Sequence, residues 1–348
     1  MLYRAIEEAG VRRVAIVGIA KHAGKTTAMN SLISQAQATG RRLGIVSIGV
    51  DGERRDAIMG VPKPDVYVPV GALVASAGDV MNEGSAVLSV VGRTGFSSTL
   101  GDVYLARVER AGTVLLAGVR YAAQVEAVLR QMEELGADLC FVDGAFDRMM
   151  AATPALTEGV VLATGAVVAS TVEEVARRSA FFVQRFALPV ADDSVGKLLD
   201  VATERGGLVV GCATDVEDEW EPVLLEQKSS FVANPLSDPN WPGAEQARVL
   251  AVSGAVTDRL LGMLEGLPRG FTVVLPDATH FFVGSQAWRK FLRRGHGVVV
   301  RQGVKLIGLT VNPHSISGYD LPRSTLLTAV KDAVGAELLV VDVQGEEA

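Results

Sequence analysis

Cysteine is nearly absent from this chain. Two residues, Cys140 and Cys212, are the only cysteines among 348 residues, and neither belongs to a Cys-x-x-Cys pair. Two isolated cysteines cannot provide a disulfide framework or a structural zinc site. We interpret both as small buried hydrophobic residues, which fits a reducing compartment.

Long apolar runs and an excess of positive charge are missing as well. The longest nearly apolar run, Gly159–Ala169, is much shorter than the roughly 20 residues of a membrane-spanning helix, and residues 1–8 lack the apolar core of a signal peptide. Lys and Arg number 33 against 40 Asp and Glu, a net charge of −7. Nucleic acids and anionic membranes require a basic face. We therefore expect a cytoplasmic protein that binds neither.

The composition that remains is that of a globular protein, with 49% hydrophobic and 21% charged residues. A chain of this length favours two domains. Near the start, a strand at Val14–Val17, a helix at Thr26–Gln37 and a strand at Leu43–Ile48 form a βαβ pattern, which predicts a parallel sheet covered by helices. We predict an α/β fold whose doubly wound, mainly parallel sheet occupies residues 1–212, followed by a connecting region at 213–247 and a second α/β domain at 248–348.

Within the first domain, residues 54–118 show little helical periodicity. Short β-like pieces separated by glycines predict an inserted set of antiparallel strands; the pieces are Val66–Val70, Ala86–Val91, Val103–Val108 and Thr113–Leu116. At the other end of the chain, we assign the last predicted strands, Leu306–Val311 and Leu338–Val343, to the C-terminal domain.

The most informative segment is Gly18-Ile-Ala-Lys-His-Ala-Gly-Lys-Thr-Thr27, which follows an apolar strand and begins a helix. That context is typical of a P-loop, in which backbone N–H groups and the helix dipole bind phosphate oxygens. Gly24 allows close approach of the backbone, Lys25 is expected to bridge the β- and γ-phosphates, and the Thr26 hydroxyl is expected to ligate Mg²⁺. The predicted nucleotide-binding residues are Gly18, Lys21, His22, Ala23, Gly24, Lys25, Thr26 and Thr27.

Acidic residues follow two predicted strands that neighbour this loop. Asp143 ends the strand Leu139–Val142, and Asp51 and Glu53 follow Leu43–Ile48. An acid at the carboxyl end of a neighbouring parallel strand lies beside the phosphates in doubly wound sheets; an ordinary turn residue is the alternative for each. We predict Mg²⁺ ligation by Thr26, Asp51 and Asp143, and catalytic roles for Lys25, Asp143 and Asp51.

Further residues near these segments have weaker predictions. Arg148, close to Asp147, could stabilise phosphoryl charge but is interpreted as a surface arginine. Asn312-Pro313 follows a late strand and predicts either a base-contacting amide or, by default, a turn. The chain contains no Asn-Lys-x-Asp sequence, so ATP is the expected nucleotide. The histidines have no ligand spacing, and we predict no metal other than Mg²⁺.

Three segments together resemble a known family. They are the loop Gly18–Thr27, Ser47–Glu53, and Val142–Arg148 followed by Ala152–Ala155. The loop has Ile19 where the common Gly-x₄-Gly-Lys-Ser/Thr pattern has glycine, and so resembles the longer loop of dethiobiotin synthetase and its relatives, the class that includes nitrogenase iron protein and MinD. The second lysine known from that class has no counterpart, because its position holds Ala20 and Lys21 comes one residue later.

Within that class, residues 12–187 resemble the reactivase-type accessory subunits of lysine 5,6-aminomutase. The resemblance implies a protein partner, an aminomutase, on which ATP would drive the release of damaged cobalamin. We also expect that the chain forms a homodimer. Two alternatives remain open from the sequence: an ATP-dependent small-molecule ligase or kinase of the dethiobiotin synthetase type, and a nucleotide-binding sensor with little turnover.

Overall fold

A computed structural model describes residues 1–49, 65–144, 149–214, 219–225, 246–264 and 269–342. The chain divides into two compact units. The first comprises residues 1–183 and 304–348, and the second comprises residues 184–303. Both units contain helices and strands, so the fold is mixed α/β.

The described residues form eight α-helices: α1 (Leu2–Ala9), α2 (Lys25–Ala38), α3 (Ala122–Glu134), α4 (Val172–Phe186), α5 (Asp193–Arg205), α6 (Asp258–Leu264), α7 (Ser285–Arg293) and α8 (Arg323–Val334). The strands of the first unit are β1 (Arg13–Gly18), β2 (Leu43–Ile48), β3 (Val66–Val68), β4 (Leu73–Ala77), β5 (Val87–Ser98), β6 (Gly101–Arg110), β7 (Gly112–Val114), β8 (Leu139–Gly144), β9 (Gly159–Gly165), β17 (Lys305–Asn312) and β18 (Val340–Asp342). Those of the second unit are β10 (Leu208–Ala213), β11 (Trp220–Leu225), β12 (Ala247–Val252), β13 (Val256–Thr257), β14 (Thr272–Leu275), β15 (Phe281–Phe282) and β16 (Gly297–Val300).

A nine-stranded sheet organises the first unit, in the order β18-β17-β9-β1-β8-β2-β4-β6-β5. The strands from β18 to β4 are parallel to their neighbours, and only β6 and β5 join by antiparallel pairing. The predicted large, mainly parallel sheet is thus confirmed. Its central strands are almost continuously apolar and buried, as expected for a sheet with helices on its faces.

The core beneath α2 explains why this helix forms where the sequence predicts it. Met29, Leu32, Ile33 and Ala36 recur at helical spacing and are fully buried. They pack in one cluster with apolar side chains of α1, β1 and β2. A fully buried apolar side chain of this size contributes about 1.5 to 3 kcal/mol, so this face anchors α2, and the loop before it, to the sheet.

The described part of residues 54–118 contains the predicted antiparallel strands and one further strand that the sequence interpretation missed. β5 and β6 form a hairpin, and β3 pairs with β7. The sequence interpretation omitted β4, which runs parallel to β2 and belongs to the main sheet. Leu73–Ala77 is a short, wholly buried run without polar alternation, and such a run gives little local signal. Residues 54–64 of the predicted insertion lie outside the described residues.

The second unit contains a smaller sheet in the order β11-β10-β12-β14-β16. β12, β14 and β16 are parallel, whereas β10 is antiparallel to both of its neighbours. Helix α5, which the sequence interpretation missed, packs Val195, Leu198 and Leu199 against this sheet.

The compact units differ from the domain boundaries that the sequence predicts. The region assigned to a connection, 213–247, contains β11, which pairs with β10. The strands β17 and β18, assigned to a C-terminal domain at 248–348, pair beside β9 in the first sheet. The chain therefore returns to its first unit after residue 303, and the second unit is an insertion between β9 and β17 rather than a C-terminal domain.

Candidate functional site

The loop between β1 and α2 lies at the carboxyl edge of the large sheet. β1 is flanked by β8 on one side, with Ile16 opposite Asp143, and by β9 on the other, with Gly18 opposite Ala163. The Ile19 N–H donates to the Ala163 carbonyl at 2.8 Å, which holds the start of the loop against β9. Because the strands are parallel, their carboxyl ends meet at this edge, where ligands of open α/β sheets bind.

The loop backbone adopts conformations that side chains disfavour. His22 has φ 59°, the one positive φ of a non-glycine residue in the described part of the chain, and Gly24 has φ 98°. A left-handed residue that carries a Cβ costs about 1 to 2 kcal/mol, and such strain concentrates at functional sites. Left-handed residues alternating with ordinary ones turn successive N–H groups inward, which creates a concave site for anions.

Two glycines of the loop occupy places where a side chain does not fit. A Cβ at Gly18 would lie 2.9 Å from the Ala20 carbonyl oxygen and 3.0 Å from Lys25 Cγ. A Cβ at Gly24 would lie 3.3 Å from Asn312 Cβ, in addition to the strain of its positive φ. The loop is thus tightly packed on its own lysine on one side and on the end of β17 on the other.

Lys25 and Asp143 lie together at the centre of this edge. The Lys25 ammonium donates to Asp143 Oδ1 at 3.1 Å and to the Gly144 carbonyl. Their side chains are 17% and 21% exposed. The pair is therefore partly screened from solvent yet open on one side, so its ammonium group can exchange partners with an incoming anion.

The other predicted loop residues surround this pair. Thr26 and Thr27 are partly buried in the first turn of α2, and Ala23 is buried. Lys21 is exposed, and His22 is partly buried. The first N–H groups of α2 have no carbonyl partner within the helix, and no side chain caps this helix end.

The end of β17 and the segment that follows it add a wall to this edge, where the sequence predicts a base-contacting amide or, by default, a turn. Asn312 packs on Gly24 and accepts from the His314 N–H through its side-chain oxygen at 3.1 Å. His314 Nδ1 lies 2.9 Å from Asp320 Oδ2, and the Tyr319 hydroxyl donates to the Ala166 carbonyl. These contacts hold the segment beside the loop. No local pattern could have placed it there, because β17 reaches this edge only through its pairing with β9.

Asp51 and Glu53, and likewise Asp147 and Arg148, lie outside the described residues. Among the residues that are described, no group of three or more His, Cys, Asp or Glu side chains could hold a metal ion. In the same part of the chain, no helix has both the length and the apolar character needed to cross a membrane.

Comparison with known proteins gives no relative. No family model, no curated protein and no solved structure matches this chain.

Proposed function

We propose that the chain is a Mg²⁺-dependent P-loop nucleoside triphosphatase, with ATP as the favoured nucleotide, which couples binding and hydrolysis to a conformational change on a protein partner. The observation that carries the proposal is the strained loop between β1 and α2, with left-handed His22 and Gly24, beside which the Lys25 ammonium lies on Asp143. A loop that only reversed the chain would need neither a left-handed His22 nor a partly buried lysine directed at the end of β8.

The residues present fit a polyphosphate. Oriented N–H groups and the positive end of the α2 dipole favour anions. Gly18 and Gly24 leave room where a Cβ would collide with the loop or with Asn312. On binding, Lys25 would exchange Asp143 for phosphate oxygens, and charge-assisted contacts of this kind are among the strongest hydrogen bonds in proteins.

The same exchange would free Asp143 for a cation. Mg²⁺ at phosphate sites takes one or two protein oxygens and completes its shell with phosphates and water, so the lack of a three-residue cluster in the described residues does not conflict with it. The Thr26 hydroxyl and Asp143 are the proposed protein ligands, with Asp51 as a third. When bound, Mg²⁺ neutralises the charge that develops on the phosphates.

The resemblance in sequence favours a protein partner over a small-molecule substrate. Only a difference in affinity for the partner between the triphosphate and diphosphate states could provide work on that partner. A ligase or kinase would instead form a phosphorylated or ligated product, and a sensor would bind without turnover. Steady-state phosphate release, measured with and without a candidate adenosylcobalamin-dependent aminomutase or small carboxylic acids, separates the three.

The direct test is the Lys25→Ala variant. We expect it to lose detectable binding of a fluorescent ATP analogue, because the variant lacks the ammonium group of the loop. Lys331→Ala, which removes an exposed lysine from α8, is the matched control and should bind normally. Wild-type affinity in Lys25→Ala, with a preserved circular dichroism spectrum, would contradict the proposal.

A further inference from the structure

A cavity of about 360 Å³ opens at the end of the large sheet opposite the P-loop. It lies where β1, β8 and β9 begin, and its walls include Arg12, Arg13, Glu133, Asp138 and Glu158. With 3.3 Å per residue, a six-residue strand such as β1 separates it from the P-loop by about 20 Å. The volume falls at the lower end of small-molecule sites, which span about 300 to 1,000 Å³.

One wall of the cavity is fixed by an ion-pair network. Arg13 donates from Nε and Nη2 to both carboxylate oxygens of Glu133, at 2.6 and 2.7 Å, and from Nη1 to Glu126 at 2.6 Å. These contacts raise the pKa of Arg13 and lower that of Glu133. Both groups therefore stay charged and engaged with each other, and they form a preorganised polar wall rather than a free binding group.

Two other charged residues of the same cavity, Arg12 and Glu158, make no ion pair within 4 Å in the described part of the chain, although the charge of Arg12 helps to lower the pKa of Glu133. The Arg12 guanidinium makes no ion pair with any carboxylate in the described part of the chain, although its backbone N–H donates to Glu158 Oε2. Glu158 likewise has no cationic side chain within 4 Å among the described residues. An unpaired cation and an unpaired anion thus line one cavity and do not pair with each other.

We propose that this cavity binds a small zwitterion, a molecule of amino acid size with one ammonium and one carboxylate group. The carboxylate would meet the Arg12 guanidinium, and the ammonium would meet Glu158. A simple anion would face the carboxylates of Glu133, Asp138 and Glu158, and a simple cation would face Arg12. Only a ligand that carries both charges satisfies both walls. The proposal is independent of nucleotide binding.

The test uses the full chain and two probes of different charge spacing, 4-aminobutyrate and 6-aminohexanoate, at constant ionic strength. Chemical shifts of the backbone amides around Arg12 and Thr157 should change and saturate for at least one probe. Butyrate and butylamine, which carry one charge each, should bind at least about tenfold more weakly, a difference that calorimetry resolves.

Variants assign the effect to the cavity. Arg12→Gln and Glu158→Gln should each weaken the zwitterion about tenfold or more, as expected when one charged contact is removed. Glu158→Gln keeps an oxygen that can accept from the Arg12 N–H, so the fold should persist. Arg4→Gln, on the exposed face of α1, is the control and should bind normally, as should Lys25→Ala.

Three results would overturn the proposal. They are the absence of saturable shifts for both zwitterions, equally tight binding of butylamine or butyrate, and undiminished binding in folded Arg12→Gln and Glu158→Gln. The Lys25→Ala variant distinguishes this proposal from the nucleotide proposal. It should lose ATP binding at one end of the sheet and keep zwitterion binding at the other end.

Discussion

If Lys25 must leave Asp143 to bind phosphate, then Asp143 opposes nucleotide binding in the absence of metal. The ammonium lies 3.1 Å from Asp143 Oδ1, and both side chains are about one-fifth exposed. Two unit charges about 4 Å apart attract by about 1 kcal/mol in water and about 4 kcal/mol at an effective dielectric constant of about 20. Solvent screening and the cost of ordering reduce the net value to about 1 to 2 kcal/mol.

The Asp143→Asn variant should therefore bind metal-free ATP more tightly than the wild type. A gain of about 1 to 2 kcal/mol corresponds to roughly fivefold to thirtyfold, and the lost repulsion between the carboxylate and the phosphates acts in the same direction. With Mg²⁺ present the sign should reverse, since the variant lacks a ligand for the cation, and hydrolysis should fall sharply.

Calorimetric titration with ATP, once in EDTA and once in Mg²⁺, measures the affinity without metal and the affinity with it. Asp332→Asn, an exposed carboxylate on α8, controls for the change in net charge. Weaker metal-free binding in Asp143→Asn than in the wild type would refute the exchange of partners. Normal hydrolysis in that variant would make Asp143 a structural turn residue.

Three further predictions follow from the described contacts. Gly24→Ala should lose about 2 to 3 kcal/mol of stability, measured by urea unfolding, because it adds a strained φ and a contact with Asn312; an unchanged transition midpoint would contradict this. Arg13→Met should destabilise by about 1 to 2 kcal/mol at neutral pH. Arg13 lowers the pKa of Glu133, so this stabilisation is present above the ordinary carboxyl pKa of about 4.3 and is lost as the pH falls through the lowered pKa. The unfolding free energies of the wild type and of Arg13→Met should therefore converge in acid, and a difference that stays constant with pH would refute the assignment. Burial raises the pKa of the Cys140 thiol to about 12. A disulfide reagent at pH 8 should therefore label this thiol only as fast as the protein opens, and immediate labelling of the native protein would contradict the burial.

The elements around the β1–α2 loop were predictable because their signals are local. Leu43–Ile48 was predicted and is confirmed as β2, and α2 differs from its predicted bounds by one residue at each end. Helix α5 had comparable signals that went unused: Asp192 caps its first turn by accepting from the Val195 N–H, and Gly206 ends it in a left-handed conformation. These two residues, Asp192 at the start and Gly206 at the end, are enough to predict a helix in that segment.

What the sequence could not indicate is which sheet a strand joins. β17 has the same apolar character as β12, yet it pairs with β9, so that Leu309 lies opposite Leu162. Strand pairing over such separations depends on the whole fold, and a strand's local pattern is the same in either sheet. The consequence reaches the candidate site, because the return of β17 is what brings Asn312 against Gly24. One wall of the proposed nucleotide site is thus made by chain that follows the whole second unit, and the β1–α2 loop cannot acquire its complete surroundings until β17 has paired with β9. Truncation before β17 should therefore impair nucleotide binding even though every loop residue is retained.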